Sequence, residues 1–249
     1  MRVHCFSTGR VRPTARRRGL RRYVLREWSV EALPVNLVAI EHPAGVCLFD
    51  TGQEAAAARP GYFPRWHPFH RLSRFELAEE DEAAPQLERL GLDGVRCVVL
   101  SHLHTDHAGG LGGLAAAEVL VSRVEWERAR GILGQVRGYL PQRWPGWVTP
   151  RLVDFSGPPI GPFAGSEDVA GDGRLVLVPT PGHTPGHMSL LVRDGAPRVL
   201  LGGDMAHSAR ELESRAPAVA EFCRTAGVVY VATHDPEAGR LLELAGAQT

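Results

Sequence analysis

The chain has no lysine: all 28 of its basic side chains are arginine, balanced by 28 acidic residues. With zero net charge it has no general attraction for polyanions, which disfavours nucleic acid as a partner for the molecule as a whole. The arginine-only usage, beside abundant Ala, Gly and Pro, reads as the codon bias of a GC-rich genome. Long apolar runs are missing as well. Stretches such as Gly227–Ala232 last only a handful of residues, far short of the roughly 20 that a membrane span needs. Cysteine is scarce, and Cys5, Cys47, Cys97 and Cys223 lie far apart with no CxxC pair. They read as reduced, buried small side chains, and the expected location is the cytoplasm.

What is present describes a folded α/β chain. At 249 residues and 44% hydrophobic, the sequence can bury a sizeable core and excludes global disorder. No linker, composition break or fixed-period repeat divides it, so residues 1–249 are expected to form one domain. The charge is nevertheless uneven. Eight arginines fall between Arg10 and Arg26, and no acid precedes Glu27. This composition resembles an organellar transit peptide, but Arg2–Phe6 alternates like an opening strand, and a solvated basic loop is the expected form.

Apolar and β-branched runs predict strands at Pro34–Glu41, Gly45–Asp50, Val95–Leu100, Val119–Ser122, Arg174–Val178, Met188–Arg193, Arg198–Leu201 and Val228–Ala232. Helical patterns cover Glu76–Leu90, Glu125–Leu133, Ala216–Thr225 and a short C-terminal segment. Two Pro/aromatic stretches, Arg59–Arg74 and Gly138–Pro150, read as loops without regular structure. Two groups of strands with helices between them predict a layered α/β sandwich.

The chemistry concentrates where strands end. The block Ser101-His102-Leu103-His104-Thr105-Asp106-His107-Ala108-Gly109-Gly110 follows a buried strand. In extended backbone, residues i and i+2 face one way, so His102 and His104 can grip one ion. Where the chain turns, Asp106 and His107 can face a second. Imidazole and carboxylate donors suit zinc, with iron, manganese and cobalt also compatible. Further along, His183, Asp204 and His234 each stand where a predicted strand opens into a loop. Such ends are where a rigid sheet projects a site.

These residues, in this order, resemble the metallo-β-lactamase superfamily over nearly the whole chain, from Asp50-Thr51-Gly52 to His234. The resemblance implies a four-layer αββα sandwich. It implies one divalent metal on His102, His104 and His183, a second on Asp106, His107 and His234, and Asp204 bridging both. Asp50 would steady the ligand loop from behind.

Among branches of the superfamily, zinc β-lactamases commonly place cysteine where Asp204 stands. Glyoxalase II-type thioesterases carry a further C-terminal domain, whereas 15 residues follow His234 here. Ribonuclease Z-like members need an exosite arm, for which no insertion is visible.

The block, Thr180–His187 with Ser189-Leu190, and His234-Asp235 are most similar to N-acyl homoserine lactonases, the quorum-quenching branch. That similarity implies a hydrolase that opens a lactone bearing an apolar acyl chain. Two ions about 3.5–4 Å apart would lower the pKa of a shared water from about 15.7 toward ~7. Asp106 would pass a proton to the leaving oxygen. In that branch a tyrosine often lies three residues after the bridging aspartate; here the position is His207, which would contact the substrate carbonyl instead. The stretch from Asp204 to His234 is also short for the branch.

Other ester, thioester or phosphodiester hydrolysis is the alternative on the same metals. Tyr62, Phe63, Trp66, Phe69, Trp144 and Trp147 are candidate pocket walls. His187 is expected to be structural, and His4, His42, His67 and His70 carry no functional expectation.

Overall fold

The strand at Leu33–His42 buries both faces: Leu37 and Ala39 point one way, Val38 and Ile40 the other. A strand apolar on both sides must lie between two layers, and the computed structural model places it there. The structure describes residues 1–14, 28–92, 94–114, 117–194 and 198–246. The strands in chain order are β1 (Arg2–Pro13), β2 (Leu33–His42), β3 (Gly45–Phe49), β4 (Ser73–Glu76), β5 (Val95–Val99) and β6 (Glu118–Ser122). They continue as β7 (Arg151–Val153), β8 (Glu167–Asp168), β9 (Leu175–Pro179), β10 (Met188–Val192), β11 (Arg198–Leu201) and β12 (Val228–Val231).

They form a seven-stranded sheet, β4-β1-β2-β3-β5-β6-β7, and a five-stranded sheet, β12-β11-β10-β9-β8. Phe49, Val99 and Leu120 of the first sheet meet Leu177, Leu190 and Leu201 of the second in the core between them. Outside the larger sheet, Leu48, Val98 and Val121 pack against Leu87 and Ala129 of helices Ala83–Arg89 and Arg123–Ala129. Outside the smaller, Val178, Leu200 and Tyr230 pack against Leu212, Val219 and Cys223 of helices Ala209–Arg215 and Pro217–Thr225. Two sheets face to face with helices on both outer faces make the expected αββα sandwich.

Strand direction then positions the site. β3, β5, β6 and β7 run parallel; β11 is parallel to β12, and β9 shares their direction because both β9 and β11 are antiparallel to β10. Their carboxyl ends deliver Asp50, His102, His183, Asp204 and His234 to one edge. Backbone bonds Met188 N–H to Ser101 O (2.9 Å) and Asn36 N–H to Thr233 O (3.1 Å) stitch the sheets together there.

Several elements differ from their expected form. Helix Glu76–Leu90 begins only at Ala83, because Glu76 pairs with Arg10 in the ladder between β1 and β4. Its acids serve as acceptors instead: Asp81 takes the Ala78 N–H at 2.9 Å and Glu82 the Ala55 N–H at 2.7 Å. The helix expected over Glu125–Leu133 breaks at Arg130, which is extended, and Gly131, whose φ is 67°. Arg59–Arg74 is not wholly irregular. His67 caps a helix over Pro68–Leu72 by accepting the Phe69 N–H, and β4 follows. The arginine-rich segment is strand through Pro13; residues 15–27, including Arg16, Arg17 and Arg18, lie outside the described residues. Among the described residues no helix is long and apolar enough to cross a membrane.

Candidate metal centre

The loop after β3 and the histidine block after β5 are built as one unit. Asp50 has a φ of 61°, a left-handed backbone that Asp tolerates better than most residues. That turn aims its carboxylate inward. Its Oδ1 accepts the Ser101 N–H at 2.7 Å, and its Oδ2 accepts Ser101 Oγ–H at 2.9 Å and His107 Nδ1–H at 2.8 Å. Thr51 donates to the His107 carbonyl from both its backbone (2.8 Å) and its hydroxyl (2.9 Å). Gly110 lies so close that a Cβ would fall 2.3 Å from the Thr51 carbonyl oxygen, so this approach requires glycine.

The structure brings all seven expected ligand residues together. His102 Nε2 lies 2.9 Å from His104 Nδ1, which lies 3.0 Å from His183 Nε2. Three imidazole nitrogens thus converge on one point. Asp204 divides its oxygens: Oδ2 is 3.4 Å from His183 Nε2, while Oδ1 is 3.3 Å from His234 Nε2 and 3.4 Å from His107 Nε2. Asp106 Oδ2 approaches His234 Nε2 at 3.7 Å. His102–His104–His183, His102–His107–Asp204 and Asp106–His107–His234 each gather their donor atoms within 4.8 Å of one another. One carboxylate facing two groups of nitrogen donors is the arrangement a bridging ligand needs.

The rings are held so that the correct nitrogen faces inward. His107 gives Nδ1–H to Asp50, and His234 gives Nδ1–H to the Pro34 carbonyl at 2.7 Å. Both Nε2 atoms are left for the site. Among the described residues three buried side-chain atoms lack a hydrogen-bond partner, and two of them, His107 Nε2 and Asp204 Oδ1, face each other here. Unpartnered buried polar atoms are costly, and a cation between them would satisfy both. The nitrogen and carboxylate donor set fits divalent metal.

The electrostatics point the same way. Burial and the neighbouring imidazoles hold His102 and His104 well below the usual histidine range, so both are neutral donors. Burial opposes charge on His107 too, but the carboxylates of Asp204 and Asp50 outweigh it and raise this pKa well above normal. Burial would likewise raise the Asp204 pKa, yet the rings of His234 and His107 keep it well below the carboxylate range.

His187 is fully internal, as expected of a structural residue. Its Nε2 accepts the Asp204 N–H at 3.1 Å and its Nδ1 bonds Thr180 Oγ1 at 2.8 Å. His207 lies beside the cluster, its ring 5.6 Å from that of His234, and its backbone N–H donates to Glu211 Oε2 at 2.8 Å. The candidate pocket aromatics divide. Tyr62 and Phe63 are buried in a small core under their own loop, and Trp144 stacks on Trp126 at 4.9 Å. Phe69 reaches the site, its ring edge-on to His104 at 5.1 Å. Tyr139 flanks the same imidazole at 5.2 Å. A cleft of about 400 Å³ opens on the other side, beside His183, walled by Phe163, Met205 and Val219 with Arg215 at its edge.

Sequence reasoning passed over Glu125. It is fully buried, and its Oε1 accepts the Leu103 N–H at 3.1 Å while Oε2 accepts Thr184 Oγ–H at 2.8 Å. Its one sequence signal is the Ser-x-x-Glu spacing from Ser122, which marks a helix start. Ser122 Oγ does accept the Glu125 N–H, at 3.1 Å. The carboxylate turns toward the metal-ligand loops.

Residues 30–243 match the metallo-beta-lactamase superfamily, and the chain belongs to it. The N-acyl homoserine lactonase AttM of Agrobacterium fabrum is 33% identical over 195 residues, covering 74% of this chain and 69% of its own. An N-acyl homoserine lactonase of Bacillus sp is 31% identical over 193 residues, with the same two coverages of 74% and 69%. The solved structure of B. thuringiensis AiiA with N-decanoyl-L-homoserine at its active site superposes with a TM-score of 0.73. It is 23% identical and covers 95% of this chain and 94% of that one, a likeness of fold.

Proposed function

We propose that this chain is a metal-dependent hydrolase that opens the lactone ring of N-acyl homoserine lactones, a quorum-quenching activity. The observation that carries it is Asp204, whose two oxygens face separate histidine groups beside unpartnered buried atoms. The lactonase names of relatives sharing about a third of their residues supply the substrate class.

His102, His104 and His183 would hold one ion, and Asp106, His107 and His234 the other, with Asp204 shared. Zinc is the preferred metal for this nitrogen-rich set, and iron, manganese or cobalt would also suit it. Bound there, two divalent ions supply a water acidic enough to attack at neutral pH and a Lewis acid for the carbonyl.

The protein groups do the rest. Water adds to the lactone carbonyl, the ring C–O bond breaks, and the departing ring oxygen needs a proton. Asp106 would take a proton from the attacking water and pass it to that oxygen. His207 is held neutral because burial lowers its pKa, so it presents one N–H to the carbonyl oxygen. Its ring lies against His234, at the edge of the cluster. Phe69 beside His104 offers apolar surface for the acyl chain, and the buried Tyr139 backs the same imidazole. The product is an N-acyl homoserine, heavier than the substrate by one water, and at neutral pH each turnover releases one proton.

The whole chain acts as one domain in this scheme, and its four free thiols favour a reducing cytoplasmic location. Mass analysis of the product tests the chemistry. A ring-opened acyl homoserine from metal-loaded protein, absent after chelation, is expected; cleavage at the amide to give a free fatty acid would refute lactone opening.

A further inference from the structure

We infer that Glu125 is a positioning residue that sets the distance between the His102/His104 loop and the His183 loop, and through it the geometry of the metal pocket those three histidines form. The inference rests on the proposed metal role of that triad.

Glu125 lies in the helix after β6, on neither ligand loop, yet it holds both. The Leu103 N–H that it accepts lies between His102 and His104, and the Thr184 hydroxyl follows His183 directly. Its carboxylate also faces Tyr139, whose ring flanks His104, and the Gly186 backbone. Gly186 packs so tightly that a Cβ would stand 2.2 Å from the Glu125 nitrogen. The His183 loop is therefore pressed against the start of this helix as well as tied to it.

The chemistry of the side chain is informative. Both hydrogen-bonded partners are donors, and a carboxylate accepts from both while donating nothing. No cation pairs with it among those partners. Burial raises its pKa, so this carboxylate is kept at a cost in solvation. Glutamine would fill the same volume but would set an NH₂ against N–H and O–H donors. The residue is thus matched to its acceptor role, and that role joins the two loops whose ring nitrogens meet within 3.0 Å.

The test is stepwise zinc titration of chelator-stripped protein against a competing chelator, with near-ultraviolet circular dichroism of the metal-free samples to check folding. Wild type should bind two ions. Glu125→Gln should stay folded and bind one ion normally while the other weakens at least tenfold. Thr184→Val removes a single partner at constant volume and should weaken the same ion several-fold, and Thr184→Ser should restore it. If Glu125→Gln does not fold, the Thr184 pair decides. Two ions held with wild-type affinity in folded Glu125→Gln, or in Thr184→Val, would overturn the inference. A wild type that binds no zinc would instead refute the metal site itself.

Discussion

His107 gives its Nδ1–H to Asp50 at 2.8 Å and thereby points its Nε2 toward Asp204, 3.4 Å away. Neither atom facing the site has a hydrogen-bond partner. Asp50 therefore acts on the site without entering it, by fixing which nitrogen of His107 is offered. Asp50→Asn keeps the left-handed backbone, which asparagine accommodates, but replaces an accepting oxygen with a donor facing the Ser101 and His107 donors. Metal affinity should fall about 10–100-fold, as for other partners that orient metal-bound histidine. Competition with a chelator measures it, and unchanged affinity would contradict the role.

The ligand residues and His207 should separate cleanly. Asp204→Asn and His104→Ala should lose metal and activity together. His207→Phe should keep both ions and lower turnover on the order of 10²-fold, the scale of removing one donor from a developing oxyanion. Metal content and kcat measured on the same samples decide this. Unchanged turnover in His207→Phe would remove that side chain from the reaction.

Acid should destabilise the metal-free protein partly through His187, whose pKa burial pushes down from 6.5 to about 3. Below pH 6.5 the unfolded chain protonates this imidazole and the folded chain does not. Stability is therefore intact above 6.5 and declines as pH falls toward 3, at up to about 1.4 kcal/mol per pH unit for this group. At pH 5 the loss comes to about 2 kcal/mol. His187→Gln reaches the Nε2 position and can still accept the Asp204 N–H, but does not titrate. Its urea midpoint in chelator should fall less steeply between pH 7 and 5 than that of wild type; equal slopes would contradict the assignment.

Gly203 has a φ of 54°, and a Cβ there would stand 2.7 Å from His187 Nε2 and 2.8 Å from the Ser101 Cβ. Gly203→Ala should cost about 2–4 kcal/mol, from left-handed strain and crowding together. Gly146, whose Cβ would meet open space, is the control, and Gly146→Ala should change the urea midpoint little. Similar midpoints for the two variants would show that this corner of the site can relax.

The ligand block was legible in sequence because its chemistry is local. His102 and His104 share a face by spacing alone, and each later ligand stands at the end of an apolar strand, where periodicity and site coincide. The central strands were legible for the same reason; Arg198–Leu201 matches its expected limits. What escaped depends on distant partners. β4 forms because Phe75 and Glu76 find Val11 and Arg10, and nothing within Arg59–Glu76 announces that. The acids at Glu79–Glu82 look like the first turn of the long helix, but Glu79–Asp81 form a separate 3₁₀ turn that Asp81 caps through the Ala78 N–H, and Glu82 serves the distant Ala55 N–H. Tyr62 and Phe63 cannot be told from pocket walls until their own loop folds over them. Glu125 reads as an ordinary helix-starting acid, since its partners lie 22 and 59 residues away.

The most direct test is to count bound metal and measure acid release on one sample, using a medium-chain N-acyl homoserine lactone. Two ions per chain, with rapid proton release that stops on chelation and returns when metal is restored, is the predicted result. Two bound ions with no acid release, and hydrolysis of a phosphodiester instead, would contradict the lactonase assignment.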